Sequence, residues 1–324
     1  MTNNSLSAIA RKLKSKDKIL LFPHVRADGD AIGSATALCA ALRKLGKQAF
    51  VLVGDEVAEN LRFLAGDHVT SDCGILGTPD ICVAVDCSDA ERFSVPEEVF
   101  LSASDCRICI DHHATAESYA DLNYIDPAAA ATGELIYELL LELGTEIDGG
   151  IADAVYAAIH TDTGGFRYSN TTKKTHQIVA ALFDCGLDHC AVCNRLYDNV
   201  RGQQIAVHAE ALSGMELFAG GLGALSCVSR EMLAETGAVL AETDGIVEKL
   251  RSIRGVEIAV LLKETEDGIK VSLRSQDRAD VARVAQRFGG GGHMRAAGCT
   301  IRESLSEAKA QIRQAAEEEL RQSN

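Results

Sequence analysis

Three short apolar runs, each ending in a cluster of acids and histidines, constrain this chain more than any other feature. Ile19–Phe22 leads into Pro23-His24-Val25-Arg26-Ala27-Asp28-Gly29-Asp30, Ile81–Val85 leads into Asp86, and Ile108–Ile110 leads into Asp111-His112-His113. Runs this short and rich in Ile and Val read as buried parallel strands. Ligands of open α/β sheets bind beyond the carboxyl ends of the strands. The three strand ends therefore deliver carboxylates and imidazoles to one edge. That much unpaired negative charge would repel itself, and divalent cations would neutralise it.

The first half of the chain alternates strand and helix, a doubly wound, mainly parallel α/β pattern. Asp30 is placed to cap a helix over Ala31–Leu45 that stops before Gly46. Ala49–Val53 reads as the next strand. Thr132–Leu143 is helical up to Gly144, and Ile151–His160 is a further helix followed by Thr161-Asp162-Thr163-Gly164-Gly165. From Lys173 to about Met215 the pattern is helical, with no clean strand. A smaller α/β unit begins near Glu216, with strands at Leu222–Val228, Val256–Leu262, Ile269–Leu273 and Ala297–Ile301. A glycine-rich loop, Gly289-Gly290-Gly291-Gly292-His293, follows a Val281–Phe288 helix, and a polar amphipathic helix closes the chain. The expected domains are residues 1–190, a helical connector over 191–215, and residues 216–324.

The 324 residues suffice for two domains with their own cores. A net charge of −15, from 32 basic and 47 acidic residues, disfavours long nucleic acid, which needs a broad basic surface. It leaves room for a short anionic substrate held by metals and a few local arginines. No run reaches transmembrane length, and Met1–Ser5 lacks the features of a secretory signal, so no membrane role and a cytoplasmic location are expected. Eleven cysteines, many in apolar contexts, read as reduced, buried thiols. Cys106/Cys109 lies in a strand. Cys190/Cys193, beside His189 and Cys185, has half of a zinc motif but no second pair nearby.

His24, Asp28 and Asp30 stand on one tight loop, with Gly29 letting the backbone turn between the acids. Imidazole plus carboxylate suits Mn²⁺, Mg²⁺ or Fe²⁺. Alone, Asp28 and Asp30 read equally well as turn and cap residues. Asp86 is either a ligand or a cap, with Asp89 a competing cap. Asp111-His112-His113 is more specific, since three titratable groups directly after a buried strand are costly unless neutralised. Asp162 ends a helix, where a negative charge opposes the helix dipole and a cation would relieve it.

Taken in order, these clusters resemble the DHH phosphoesterase superfamily. The matching segments are His24-x-x-x-Asp28-Gly29-Asp30-Ala31-Ile32-Gly33-Ser34, Asp86, Asp111-His112-His113 and Thr161-Asp162-Thr163-Gly164. The second unit resembles the DHHA1 domain through Gly290-Gly291-Gly292-His293 and Ala296-Ala297-Gly298. Length and layout look most like the bacterial NrnA-type branch of oligoribonucleases and pAp phosphatases. The resemblance implies a catalytic DHH domain, a smaller DHHA1 domain and an active cleft between them. It implies two divalent cations, usually Mn²⁺, with Mg²⁺ not separable here. His24 and Asp28 would hold one, Asp30, His112 and Asp162 the other, and Asp86 would bridge. A hydroxide shared by the cations would attack phosphorus. His113 would orient the phosphate or protonate the leaving oxygen, and Asp111 would fix an imidazole. Arg274, Ser275, Gly290, Gly291, Gly292 and His293 would bind the substrate phosphate, the glycines as an anion nest; a flexible loop is the plainer alternative for them.

The implied activity is metal-dependent hydrolysis of very short RNA to nucleoside 5′-monophosphates and of pAp to AMP. Long duplex nucleic acid is not an expected partner, and a homodimer is allowed. Turnover of pApA or cyclic dinucleotides and single-strand exonuclease activity are the alternatives within the superfamily. A nucleotide-binding regulatory protein is the non-enzymatic one, although it would usually have lost metal ligands that this chain retains. Arg295, Arg167 and Tyr168 are further candidates, the last two equally readable as surface-loop residues.

Overall fold

The apolar runs become the middle strands of a six-stranded sheet. The computed structural model describes residues 3–323 and divides into a first unit ending at Asn199 and a second beginning at Val200. In chain order the first unit comprises α1 (Leu6–Lys14), β1 (Lys18–Phe22), α2 (Gly29–Lys44), β2 (Gln48–Leu52), α3 (Arg62–Ala65), β3 (Val69–Thr70) and β4 (Ile81–Val85). It continues with α4 (Glu97–Leu101), β5 (Cys106–Asp111), β6 (Leu122–Ile125), α5 (Thr132–Leu143), α6 (Gly149–Asp162), α7 (Lys173–Asp184) and α8 (His189–Cys193). A π-helical turn, Asn194–Asp198, follows α8.

The strand order is β3-β2-β1-β4-β5-β6, and every neighbouring pair is parallel. The order reverses between β1 and β4, and ligands of open α/β sheets bind at such a switch point. Both faces are covered, which is why the strands read as continuous apolar runs. Ile19, Leu21, Val83, Val85, Ile108 and Ile110 face a core shared with α1, α2, α5 and α6. Leu20, Phe22, Cys82, Ala84 and Cys109 face the other way, onto Phe93, Phe100 and Leu76.

Two local features differ from the sequence reading. The cap of α2 is Asp28, whose Oδ1 accepts the backbone N–H groups of Asp30 and Ala31, and Asp30 lies inside the first turn. Asp30 instead satisfies another helix: its carboxylate accepts the N–H groups of Thr132 (2.7 Å) and Gly133 (2.9 Å) at the start of α5, which has no side-chain cap of its own. Gly291–His293 is not loop but a short edge strand, as described next.

The second unit holds α9 (Gly202–Ser213), β7 (Glu216–Phe218), β8 (Gly223–Val228), α10 (Arg230–Thr236), α11 (Ile246–Arg251), β9 (Ile258–Thr265) and β10 (Gly268–Ser275). It ends with α12 (Val281–Gln286), β11 (Gly291–His293), β12 (Ala296–Ile301) and α13 (Leu305–Gln322). Its sheet runs β11-β12-β10-β9-β8-β7 and is antiparallel except for the β8–β9 pair. One face packs on α12 and α13, the other on α9 and α11. No helix among the described residues is long and apolar enough to cross a membrane.

Candidate active site

β1, β4 and β5 release the chain at the same sheet edge, and α6 ends there. The structure brings His24, Asp28 and Asp86 into one group and Asp30, His112 and Asp162 into another, the donor atoms within each lying no more than 4.8 Å apart. Asp86 also groups with His112 and His113. His24 Nε2 lies 3.7 Å from Asp28 Oδ1 and 3.8 Å from Asp86 Oδ2. His112 Nε2 lies 3.8, 3.7 and 3.6 Å from oxygens of Asp30, Asp86 and Asp162. These separations exceed hydrogen-bond reach, so the donors face one another across a gap rather than bonding directly.

The backbone decides which imidazole nitrogen faces that gap. His24 Nδ1 lies 2.9 Å from the Val25 carbonyl and His112 Nδ1 lies 3.3 Å from the Ala129 carbonyl. A carbonyl only accepts, so each Nδ1 carries a hydrogen and each Nε2 is the nitrogen turned toward the acids. His113 differs. Its Nδ1–H donates to Asp111 Oδ1 at 2.8 Å, and its backbone N–H donates to the same oxygen at 2.9 Å. Asp111 is fully buried, and its Oδ2 has no hydrogen-bond partner.

Around the acids the geometry is held from several directions. Asp86 has φ +57°, a left-handed conformation that Asp adopts more readily than most residues. Its Oδ1 accepts the Thr132 hydroxyl at 2.8 Å. Asp30 Oδ1 accepts the Ser34 hydroxyl at 2.9 Å. Asn170 donates to the carbonyl of Asp162 and to that of Ala130. Thr132, Gly133 and Asn170 escaped the sequence reading, since Thr and Asn on a loop or helix start carry no distinguishing pattern.

Charge is poorly compensated within this cluster. Burial, then the charges of Asp86, Asp162 and Asp28, pushes the Asp30 carboxyl well above the ordinary range. Burial and Asp28 raise Asp86 to about 6, and burial raises Asp162 as well. Burial alone would lower the His24 imidazole, but Asp28 and Asp86 outweigh it and the net shift is upward. The hydrogen bond to Asp111 raises His113 to about 9. Acids held this close need positive charge, and a donor set of carboxylate oxygens and imidazole nitrogens without thiolate fits divalent cations of the Mn²⁺ and Mg²⁺ kind. Among the described residues the acid and histidine groups able to hold a cation all lie here. Cys193 lies 3.8 Å from His160 Nε2 and 3.6 Å from the Tyr156 hydroxyl, and Cys190 is exposed.

In the second unit the expected phosphate contacts are more dispersed in role. Arg274 Nε pairs with Glu248 at 3.1 Å, and Ser275 is buried with its hydroxyl donating to the Met294 carbonyl. The Gly289 and Gly290 amides donate to Gln286 and Ala285 at the end of α12. Gly290 is required by packing, because a Cβ there would meet the Gly298 carbonyl at 2.2 Å. Gly291, Gly292 and His293 are exposed along β11. Arg295 lies 3.7 Å from Asp277.

Residues 18–159 match the DHH family, N-terminal domain, and residues 228–322 match the DHHA1 domain. The chain belongs to the DHH/DHHA1 phosphoesterases, hydrolytic enzymes that use divalent metals. Its relatives narrow the class. It is 34% identical to the bifunctional oligoribonuclease and PAP phosphatase NrnA of Thermus thermophilus, covering 96% of this chain and 93% of that one. To the protein of the same name in Bacillus subtilis it is 28% identical, covering 90% and 92%. An exopolyphosphatase-related protein from Bacteroides fragilis superposes with a TM-score of 0.91 at 25% identity, covering 97% of this chain and 95% of that one.

Proposed function

We propose that this chain hydrolyses very short oligoribonucleotides to nucleoside 5′-monophosphates and removes the 3′-phosphate of pAp to leave AMP. Both reactions break the same bond, between phosphorus and O3′, so one site serves both. The observation that carries this reading is the paired arrangement of His24, Asp28 and Asp86 beside Asp30, His112 and Asp162, with His113 at its rim. The names of the relatives from Thermus thermophilus and Bacillus subtilis supply the substrate class.

His24 and Asp28 would hold one cation, Asp30, His112 and Asp162 a second, and Asp86 would serve both. Two divalent cations, Mn²⁺ being the favoured pair, supply Lewis acidity that makes water nucleophilic and offsets charge on the phosphoryl oxygens. The chain's own work is positional. The Val25 and Ala129 carbonyls hold His24 and His112 in the tautomer that can ligate. Asp111 holds His113 through Nδ1, which leaves Nε2–H of the protonated ring to orient the phosphate or protonate O3′ as it departs. Gly291, Gly292 and His293, with Arg274, would bind a substrate phosphate on the second unit, where Ser275 donates its hydroxyl to the Met294 carbonyl. The eleven cysteines are all free, in keeping with a reducing, cytoplasmic setting.

A substrate panel tests the reading: pAp, pApA, a five-nucleotide RNA, a long single-stranded DNA and pyrophosphate, each with Mn²⁺ and with EDTA. Metal-dependent turnover of the short nucleotides, releasing 5′-monophosphates, is expected. Cleavage of pyrophosphate alone or long DNA alone would refute the substrate class, and no turnover of any would refute the enzyme.

A further inference from the structure

Residues 129–133, which lead into α5, reach members of both proposed metal-binding groups. The Ala129 carbonyl lies 3.3 Å from His112 Nδ1. The Ala130 carbonyl accepts the Asn170 amide, which also donates to the Asp162 carbonyl. The Thr132 and Gly133 N–H groups donate to Asp30. The Thr132 hydroxyl donates at 2.8 Å to Oδ1 of Asp86, the residue proposed to serve both cations.

That hydroxyl is diverted from its usual task. A Thr at the start of a helix ordinarily caps free backbone N–H groups. Here the cap position falls to Ala131, which offers no side-chain acceptor, and Asp30 supplies one from α2. Thr132, one residue later, turns its hydroxyl to Asp86 instead. Its place is fixed by its neighbours. Thr132 is fully buried, and as a β-branched residue it has few side-chain conformations in a helix. A Cβ on Gly133 would meet the Ala158 Cβ at 2.7 Å and Ile159 Cγ1 at 3.2 Å, so α5 lies against α6 without slack. The buried Glu134 accepts the Thr175 hydroxyl at 2.6 Å, which ties the same turn to α7.

The two oxygens of Asp86 face different ways. Oδ1 lies 3.7 Å from His112 Nε2, and Oδ2 lies 3.8 Å from His24 Nε2. The sheet holds the main chain of Asp86, whose N–H donates to the Ile110 carbonyl at 3.0 Å. The carboxylate plane is a separate freedom, because the outer torsion of Asp is broad. We propose that Thr132 is the positioning residue that fixes this plane, so that Asp86 offers one oxygen to each cation group. Its hydroxyl holds Oδ1 on the His112 side and leaves Oδ2 for the His24 side. A carboxylate oxygen has two lone pairs, so Oδ1 accepts the hydroxyl and still has one to give. The inference rests on the two-cation reading above, and its test separates the two.

Thr132→Val removes the hydroxyl while keeping the branched shape and the backbone N–H to Asp30. Thr132→Ala and Thr132→Ser, which differ by the hydroxyl alone, repeat the comparison without the added methyl. Mn²⁺ is titrated calorimetrically into the metal-free full chain of the parent and each variant, and electron paramagnetic resonance is recorded at saturation. The parent should bind two Mn²⁺ and give the spin-coupled signal of a bridged pair. The valine and alanine variants should bind Mn²⁺ about 10- to 100-fold more weakly, the usual effect of removing a hydrogen-bond partner of a metal ligand. Their signal should move toward that of uncoupled Mn²⁺, and the serine variant should keep the parent's affinity and signal. Coupling unchanged in the valine and alanine variants, whatever their affinity or melting temperature, overturns the proposal; so does coupling lost in the serine variant, which would make packing the cause. Fewer than two Mn²⁺ bound by the parent would overturn the two-cation reading itself, and this proposal with it.

Discussion

Asp86 sits in the electrostatic conflict of the acid cluster. It is buried, stands at φ +57°, and its carboxyl is raised from an ordinary 3.8 to about 6 by burial and by Asp28. A carboxyl raised on folding binds more protons folded than unfolded between those two values. Its contribution to stability therefore falls as pH climbs through that window and stays low at pH 7. Without metal, Asp86→Asn should be more stable than the parent at pH 7, by ~1–3 kcal/mol, and the gain should shrink by pH 4.5. Asn tolerates the positive φ and still accepts the Thr132 hydroxyl. Urea unfolding in EDTA at both pH values checks this, and no gain at pH 7 would contradict it. With Mn²⁺ the same variant should have no measurable turnover. Asp111→Asn should lower kcat by about 100-fold, through the loosened His113, with metal stoichiometry unchanged; an unaltered kcat would remove His113 from the chemistry. The acids and imidazoles themselves were readable, because such groups seldom follow buried apolar runs. Their supports were not. The Val25 and Ala129 carbonyls bear no residue signature, and Thr132 is 46 positions from the Asp86 it bonds.

At the scale of elements, the helix pair α2 and α6 sets the spacing of the acids. Asp28 and Asp30 stand at the start of α2 and Asp162 at the end of α6. The two pack closely because Gly33 has no side chain: a Cβ there would meet the Ala154 carbonyl at 2.5 Å and the Ala158 nitrogen at 3.0 Å. Both obstacles are backbone or close to it, so the helices themselves must part. Gly33→Val should cost about 1–3 kcal/mol and weaken Mn²⁺ binding, measured by thermal melting and calorimetry on one preparation. Full metal affinity in that variant would show that helix spacing does not control the site. The same scale shows where sequence patterns carry far and where they stop. The core strands and α5, which runs from Thr132 to Leu143 before Gly144, follow from apolar runs and a glycine stop. The edge strand β11 does not, because Gly291 and Gly292 lack side chains to betray a strand and are held by pairing with Gly298 and Ala297. The Asp28-for-Asp30 exchange at the α2 cap is a one-turn matter that composition cannot resolve, since either acid suits the position.

For the molecule as a whole, each unit has its own apolar core, with sheet faces covered on both sides. All six proposed ligands, His24, Asp28, Asp30, Asp86, His112 and Asp162, precede Asn199. A fragment ending at Asn199 should therefore bind Mn²⁺ with the stoichiometry of the full chain while losing turnover of short RNA; loss of metal binding in a folded fragment would mean that the second unit contributes ligands. The net charge of −15 adds a solution-scale expectation, that long polyanions compete poorly with short ones. The central claim concerns paired cations, and anomalous diffraction from crystals grown with Mn²⁺ tests it most directly. Two peaks are expected, one among His24, Asp28 and Asp86 and one among Asp30, His112 and Asp162, with Asp86 contacting both. A single peak, or none at these residues in crystals of protein that retains activity, would contradict the two-cation site.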